Sequence, residues 1–352
     1  MKAAQEFAIG SFKTVDVPVP KPGGEQLLIK VAACGICGSD IPRIFELGTS
    51  KQKYPLTIGH EFGGEITAAG PLADPALVGK TGAVFPCIPC RTCESCLTAD
   101  YAMCLDYDYL GSRSDGGFAE YCLVPSSWHF VETKNPALDP DSLALVEPCT
   151  VAQHAIRKAE IRAGNSVVIF GAGPIGIMAA RWARLFGAGP VMLVDVVDQK
   201  VAFARERGER FVVNGITQDV PGEFRKINNG ALPDAAIEGT GTGAALAQAI
   251  DCTRTFGTVV LMGNPHKDTT IPLSRHSQIL RKELILKGMW NSHFAATPIN
   301  EWTYTVDMLD AGKMQVMDLV THRASLEDLP RLCEDIYKQR VNICKAIYSA
   351  KA

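Results

Sequence analysis

Four side chains early in this sequence could hold a metal ion and use it. Cys37 offers a thiolate, Ser39 a hydroxyl, His60 an imidazole and Glu61 a carboxylate, all within the stretch CGICGSDIPRIFELGTSKQKYPLTIGHEFGGEITAAG from Cys34 to Gly70. Cys, His and Glu are the ligand types of a zinc site that keeps one position open for water or substrate. Zinc held in this way polarises an oxygen and lowers its pKa. The glycines of the stretch let the backbone turn closely around the ligands.

A second constellation follows at once. Cys90, Cys93, Cys96 and Cys104 stand at C-x2-C-x2-C-x7-C. Four thiolates complete a tetrahedral zinc and leave nothing open, so the expected role is structural. An iron–sulfur cluster also uses C-x2-C-x2-C, but the seven-residue gap and the missing Pro after Cys104 depart from the bacterial ferredoxin run. Cys87, the odd thiol of the cluster, receives no role.

The third constellation binds rather than reacts. SVVIF, an apolar strand, runs into GAGPIG (Gly171, Gly173, Pro174, Ile175, Gly176), then a helix-period run and a second apolar strand, VMLVD, ending at Asp195. A lone GxGxxG means little. Between a strand and a helix, with an acid about twenty residues on, it is a dinucleotide fingerprint. The glycines permit the turn and the approach of pyrophosphate to a helix N-terminus. Asp195 can accept from both ribose hydroxyls and would repel a 2′-phosphate, which favours NAD over NADP.

These residues require elements to carry them. Residues 1–33 read as strands broken by Pro and Gly, with further strands at Val78–Phe85 and Phe118–Val124. Many short strands point to an irregular, barrel-like β domain. From about residue 165, strand-like RFVVN, DAAIEG, TVVLMG and ELILKG alternate with helical stretches, the pattern of a doubly wound parallel sheet. Two amphipathic stretches, around Trp302–Ala311 and Leu326–Gln339, are expected to return to the first domain. The expected organisation is an α/β chain with a zinc-binding domain over 1–150 and 290–352 and a Rossmann domain over 151–289.

Composition narrows the function classes. A chain of 352 residues is long enough for two domains. A net charge of −3 offers no basic field for nucleic acid. No run of about 18 apolar residues suggests a membrane span, and MKAAQEFAIGSFKTVDV lacks a signal-peptide core. Twelve cysteines then read as metal ligands and buried thiols, and the expected compartment is the cytoplasm.

GHE, the glycines at 64 and 70, the four-cysteine run and GAGPIG together resemble the zinc-dependent medium-chain dehydrogenases, over the whole chain. The resemblance implies a GroES-like catalytic domain beside the Rossmann domain, two zinc ions per chain, and oxidation of a secondary alcohol with hydride transfer to NAD. Cys37 and His60 match zinc ligands. The third ligand stays open between Glu61 and Glu147, the latter in VEPCTV. Ser39 would take the substrate's proton. Where many relatives carry a relay His, this chain has Pro42, so the relay must end on water or another group.

CGSDIPRIF, YPLTIGHEFGG, YDYLGSRSDGGFAEY and ILRKELILKGMW are similar to the polyol-phosphate branch of the family. They imply a sugar-alcohol phosphate such as galactitol 1-phosphate, with Arg43 or Arg113 as phosphate anchor, since guanidinium pairs well with phosphate. The alternatives are an unphosphorylated polyol, an amino alcohol or an aminocyclitol, and more distantly a non-catalytic protein that binds NAD and zinc. The family also implies a homodimer or homotetramer.

Overall fold

In the computed structural model, which describes residues 1–50, 52–296 and 299–352, the chain divides into Met1–Pro148 with His293–Ala352, and Cys149–Ser292.

The first unit is built from short strands, because its apolar residues come in brief runs between Gly and Pro. They are β1 (Lys2–Ala8), β2 (Ser11–Asp16), β3 (Leu27–Gly35), β4 (Leu56–Thr57), β5 (Glu61–Ala69), β6 (Thr81–Val84), β7 (Cys87–Ile88), β8 (Asp108–Tyr109), β9 (Tyr121–Val124) and β10 (Phe130–Glu132). β3 and β5 pair antiparallel along almost their full length, with Gly35 opposite Glu61. β7 and β8 form a separate two-stranded ribbon. Leu27, Ile29, Ile44, Ile58, Phe62 and Phe118 fill the core.

Two expected strands are shorter than their apolar character suggests. The strand expected from Val78 begins at Thr81, because a 3-10 turn over Pro75–Leu77 and Gly79, at φ +89°, precede it. The strand expected from Phe118 begins at Tyr121, and the carbonyl of Phe118 instead accepts from Ala4 N–H at 2.8 Å.

The second unit carries β11 (Val167–Phe170), β12 (Val191–Asp195), β13 (Val212–Asn214), β14 (Ala235–Glu238), β15 (Thr258–Leu261) and β16 (Ile285–Gly288). Their order is β13-β12-β11-β14-β15-β16, and every pairing is parallel. β11, β12 and β14 are buried throughout, which is why they read as continuous apolar runs.

The chain then returns to the first unit. Helices Glu301–Asp310 and Leu329–Tyr337 account for the two amphipathic stretches, with Trp302 and Leu329 buried. Two more strands follow, β17 (Val320–Ala324) and β18 (Lys345–Ser349). The main sheet runs β10-β6-β5-β3-β18-β17, with β9 also on β3, so a late strand lies directly beside β3. Every residue of β18 is buried.

Candidate metal and cofactor sites

The β3–β5 pairing brings the loop after Gly35 against the turn before Glu61, and the ligand types meet there. The donor atoms of Cys37, His60 and Glu61 lie within 4.8 Å of one another. Ser39 Oγ donates to Cys37 Sγ at 3.2 Å and is exposed.

Beneath them Asp40 is completely buried. Its Oδ2 accepts from Cys37 N–H at 3.0 Å, its Oδ1 accepts from Arg43 Nη1 at 2.9 Å, and Oδ1 lies 3.5 Å from His60 Nδ1. A carboxylate behind a ligand imidazole is a common support at metal sites. Burial would lower the pKa of His60, but the negative charges of Asp40 and Cys37 outweigh it and push it well above its ordinary value. The pocket is electrostatically prepared for a cation.

Glu61 has a partner already. Lys345, from β18, donates through Nζ to the Glu61 carboxylate and, at 3.0 Å, to the carbonyl of Ile36. Both side chains are buried, at 5% and 2% exposure. Gly35 makes the room, because a Cβ there would fall 2.0 Å from Glu61 Oε2 and 3.0 Å from Lys345 Cε.

Glu147 opens the helix Val146–Lys158 and stands outside the donor group. Burial pushes its carboxyl up to about 7, although His60 and Lys345 pull it down. Its Oε1 is 3.5 Å from Tyr109 Oη.

Cys90, Cys93, Cys96 and Cys104 form a second group with donor atoms within 4.8 Å of each other. Peptide N–H groups point at the sulfurs, Cys90 N–H at Cys104 Sγ (3.2 Å) and Cys93 N–H at Cys90 Sγ (3.4 Å). Hydrogen bonds from Thr92 and then from Cys93 N–H hold the Cys90 thiol down at about 6. Thiolates cradled by N–H donors are the donor set a structural zinc needs. Cys87 stays out of the group, its Sγ turned to the Tyr101 carbonyl and its pKa pushed up to about 12 by burial.

In the second unit the fingerprint has its expected geometry. Gly171 sits at φ +107°, and a Cβ on Gly176 would fall 1.9 Å from the Gly171 carbonyl oxygen. Gly173, the N-cap of the helix Pro174–Leu185, differs from both. Its φ is −76°, and a Cβ on it would meet nothing within 4 Å. The protein itself has no need of glycine there, whereas a pyrophosphate approaching the helix N-terminus would. Asp195 ends β12, with Oδ2 accepting from Ala172 N–H (2.8 Å) and Oδ1 from Val196 (2.8 Å) and Val197 (3.0 Å). Of the roughly four lone-pair sites of the carboxylate, one, on Oδ2, is left unused.

The two arginines expected to anchor phosphate are both engaged. Arg43 is turned inward onto Asp40, with its side chain 16% exposed. Arg113 donates to the Tyr107 carbonyl at 2.6 Å and stacks over the Tyr107 ring at 3.8 Å. Three side chains beside the Cys37 site were not singled out in the sequence: Asp40, Tyr109 and Lys345. Asp40 was adjacent to Ser39 and open to suspicion, whereas nothing local marks Lys345.

Comparison with known proteins shows the family. Residues 23–134 match the family described as alcohol dehydrogenase GroES-like domain, and residues 174–311 match zinc-binding dehydrogenase. The chain is 34% identical to the galactitol 1-phosphate 5-dehydrogenase of Escherichia coli K12 over 338 residues, 96% of each chain. This chain belongs to the zinc-dependent medium-chain alcohol dehydrogenases. The dehydrogenase is also 32% identical to sorbitol dehydrogenase of Bacillus subtilis, over 93% of this chain and 91% of the relative. The crystal structure of galactitol-1-phosphate dehydrogenase from Escherichia coli superposes with a TM-score of 0.91 at 30% identity, covering 99% of this chain and 100% of that one. A putative zinc-binding dehydrogenase from Sinorhizobium meliloti, bound to NADP, superposes at 0.89 and 29% identity, over 99% and 98%. Members of the family are oxidoreductases acting on CH–OH groups, with zinc and a nicotinamide dinucleotide as cofactors. Among the described residues no helix is long and apolar enough to cross a membrane.

Proposed function

We propose that this dehydrogenase oxidises a secondary alcohol of a sugar-alcohol phosphate to the ketose, with NAD as acceptor. The observation that carries the reaction is the charge arrangement of the Cys37 site. Asp40 is neutralised by Arg43 and Glu61 by Lys345. Among the described residues Glu147 has no ion pair of its own, and as a carboxylate it would join a Cys37 thiolate in balancing a divalent ion. We assign Cys37, His60 and Glu147 as ligands of the catalytic zinc, with Glu61 held in reserve by Lys345. When bound, zinc would polarise the alcohol oxygen and the nicotinamide would take the hydride.

The residues of the chain do the rest. Ser39 Oγ accepts the proton of the substrate hydroxyl and hands it to solvent, since Pro42 offers no side-chain acceptor. Asp40 fixes the tautomer and direction of His60. Gly173 admits the cofactor's pyrophosphate, and Asp195 takes the ribose hydroxyls and turns away a 2′-phosphate. Cys90, Cys93, Cys96 and Cys104 hold the second, structural zinc.

For the substrate, support comes from the similarity to the Escherichia coli enzyme. Arg43 is committed to Asp40 and Arg113 to Tyr107, so an anchoring role for either guanidinium would require it to leave its present partner. A second reading, an unphosphorylated polyol, is favoured by the Bacillus subtilis relative named sorbitol dehydrogenase. An NADH-release assay on galactitol 1-phosphate, sorbitol, xylitol and L-threonine decides between them: kcat/KM highest on sorbitol or xylitol defeats the phosphate reading. Association into a dimer or tetramer is proposed from the family alone, and sedimentation velocity tests it.

A further inference from the structure

We propose that Tyr109 is a positioning residue for the catalytic metal, its phenol aiming the Glu147 carboxylate so that it can join Cys37 and His60. This rests on the assignment of Glu147 as a ligand. Tyr109 Oη is 3.5 Å from Glu147 Oε1, and its ring stands edge-on to His60 with centroids 5.9 Å apart at 65°. One side chain therefore meets two of the assigned ligands.

The backbone holds Tyr109 firmly in place. Tyr109 lies on β8, opposite Cys87 of β7. That ribbon closes the four-cysteine lobe, since β7 ends just before Cys90 and β8 begins just after Cys104. The Tyr109 carbonyl accepts from the N–H groups of Ser112 (3.2 Å), Arg113 (2.9 Å) and Ser114 (3.1 Å). The turn so formed is pressed onto the His60 backbone: a Cβ on Gly111, at φ +80°, would fall 2.1 Å from Gly59 O and 2.7 Å from His60 N. Arg113, over Tyr107, supports it from behind, and the Tyr107 and Tyr109 rings meet at 6.2 Å.

The chemistry distinguishes the two carboxylates of the pocket. Glu61 is held by an ammonium, which orients it and also cancels its charge. Glu147 meets a phenol, a neutral donor that orients an oxygen while leaving the charge for the metal. Groups that orient metal ligands are typically worth about 10- to 100-fold in metal affinity.

The test is chelator competition on the zinc-loaded enzyme, following each zinc separately, with the cobalt-substituted protein giving the ligand-field spectrum of the catalytic site. Tyr109→Phe keeps the ring and loses the hydroxyl. It should weaken the catalytic zinc by about 10- to 100-fold and shift the cobalt bands. The four-cysteine zinc and the thermal midpoint of the zinc-saturated protein should stay unchanged. Glu147→Gln should weaken the catalytic zinc more, and Tyr109→Phe should add little in that background. If Glu147→Gln loses the metal while Tyr109→Phe holds it at wild-type affinity, Tyr109 is only packing and the proposal falls. Fully additive effects would also overturn it. If Glu147→Gln itself binds zinc normally, the ligand assignment beneath it is wrong.

Discussion

Arg43 Nη1 donates a 2.9 Å hydrogen bond to Asp40 Oδ1, and the carboxylate that receives it is completely buried. Removing one partner of a buried pair strands the other. Arg43→Ala should therefore cost about 2–4 kcal/mol in urea unfolding. Turnover should fall by the same factor on phosphorylated and unphosphorylated alcohols. A loss confined to the phosphorylated substrate would return Arg43 to the role of phosphate anchor.

Glu6, on β1, is fully buried with no hydrogen-bond partner for either carboxylate oxygen. Burial raises its pKa from 4.5 to about 7, with Arg43 opposing and Asp40 adding. Between those values the folded protein keeps a proton that the unfolded chain has released. Folding stability therefore drains away as pH rises through the window, by an amount on the order of 3 kcal/mol at most. Glu6→Gln should gain stability over the wild type at about pH 8 and hardly at all near pH 5. Equal gains at both would show that titration is not the cause.

Metal analysis should find two zinc ions per chain. Cys93→Ser should lose one of them and lower the thermal midpoint, because a structural zinc contributes directly to folding. Cys37→Ser should lose the other, abolishing turnover with the fold intact. A fully active preparation containing one zinc would rule out the two-site arrangement.

Asp195→Ala should weaken NAD binding and narrow the preference over NADP, since both acceptor and repulsive charge disappear. The GAGPIG loop should loosen too, because Asp195 also holds Ala172 N–H. Fluorescence titration with both dinucleotides reads this out. A wild-type preference for NADP would contradict the ribose role of Asp195.

Lys345→Met separates the two carboxylates in another way. Glu61 would lose its counter-charge, and the zinc-free protein should lose about 3–5 kcal/mol of stability. Zinc should be kept at least as tightly, because Glu61 becomes free to ligate it. Turnover should drop as the open position closes. Zinc affinity falling in step with turnover would show that Lys345 supports the site by packing alone.

The parts of this protein legible in its sequence are those whose partners are local. The four cysteines lie within one short stretch, and the fingerprint from Gly171 to Asp195 is a single strand–helix–strand unit. The β-domain reading of the first third and the parallel-sheet reading of the middle hold for the same reason, since hydrophobic period is a local property. Arg43 shows the limit. Its nearness to Cys37 and Ser39 suggested a substrate contact, but sequence distance does not tell which way a side chain turns. A π-helical turn over Arg43–Leu47 aims it inward instead. Glu6 is buried by strands distant in sequence, and nothing local marks it. Lys345 was out of reach altogether, because its partner Glu61 is 284 residues away.

That separation has a consequence for how the enzyme is made. Domains fold as they emerge during synthesis, N-terminal parts first. A nascent chain has delivered Cys37, His60, Glu61 and Glu147 long before β18 leaves the ribosome. Until then two carboxylates share the pocket with no ammonium between them, and any ion caught early would meet both. Insertion of β18 beside β3 completes the sheet and withdraws Glu61 in one event. With Glu147 as the proposed ligand, the working coordination of the metal would be set by the late arrival of a single strand, and a ribosome stalled before Lys345 would hold a protein able to bind zinc but unable to turn over.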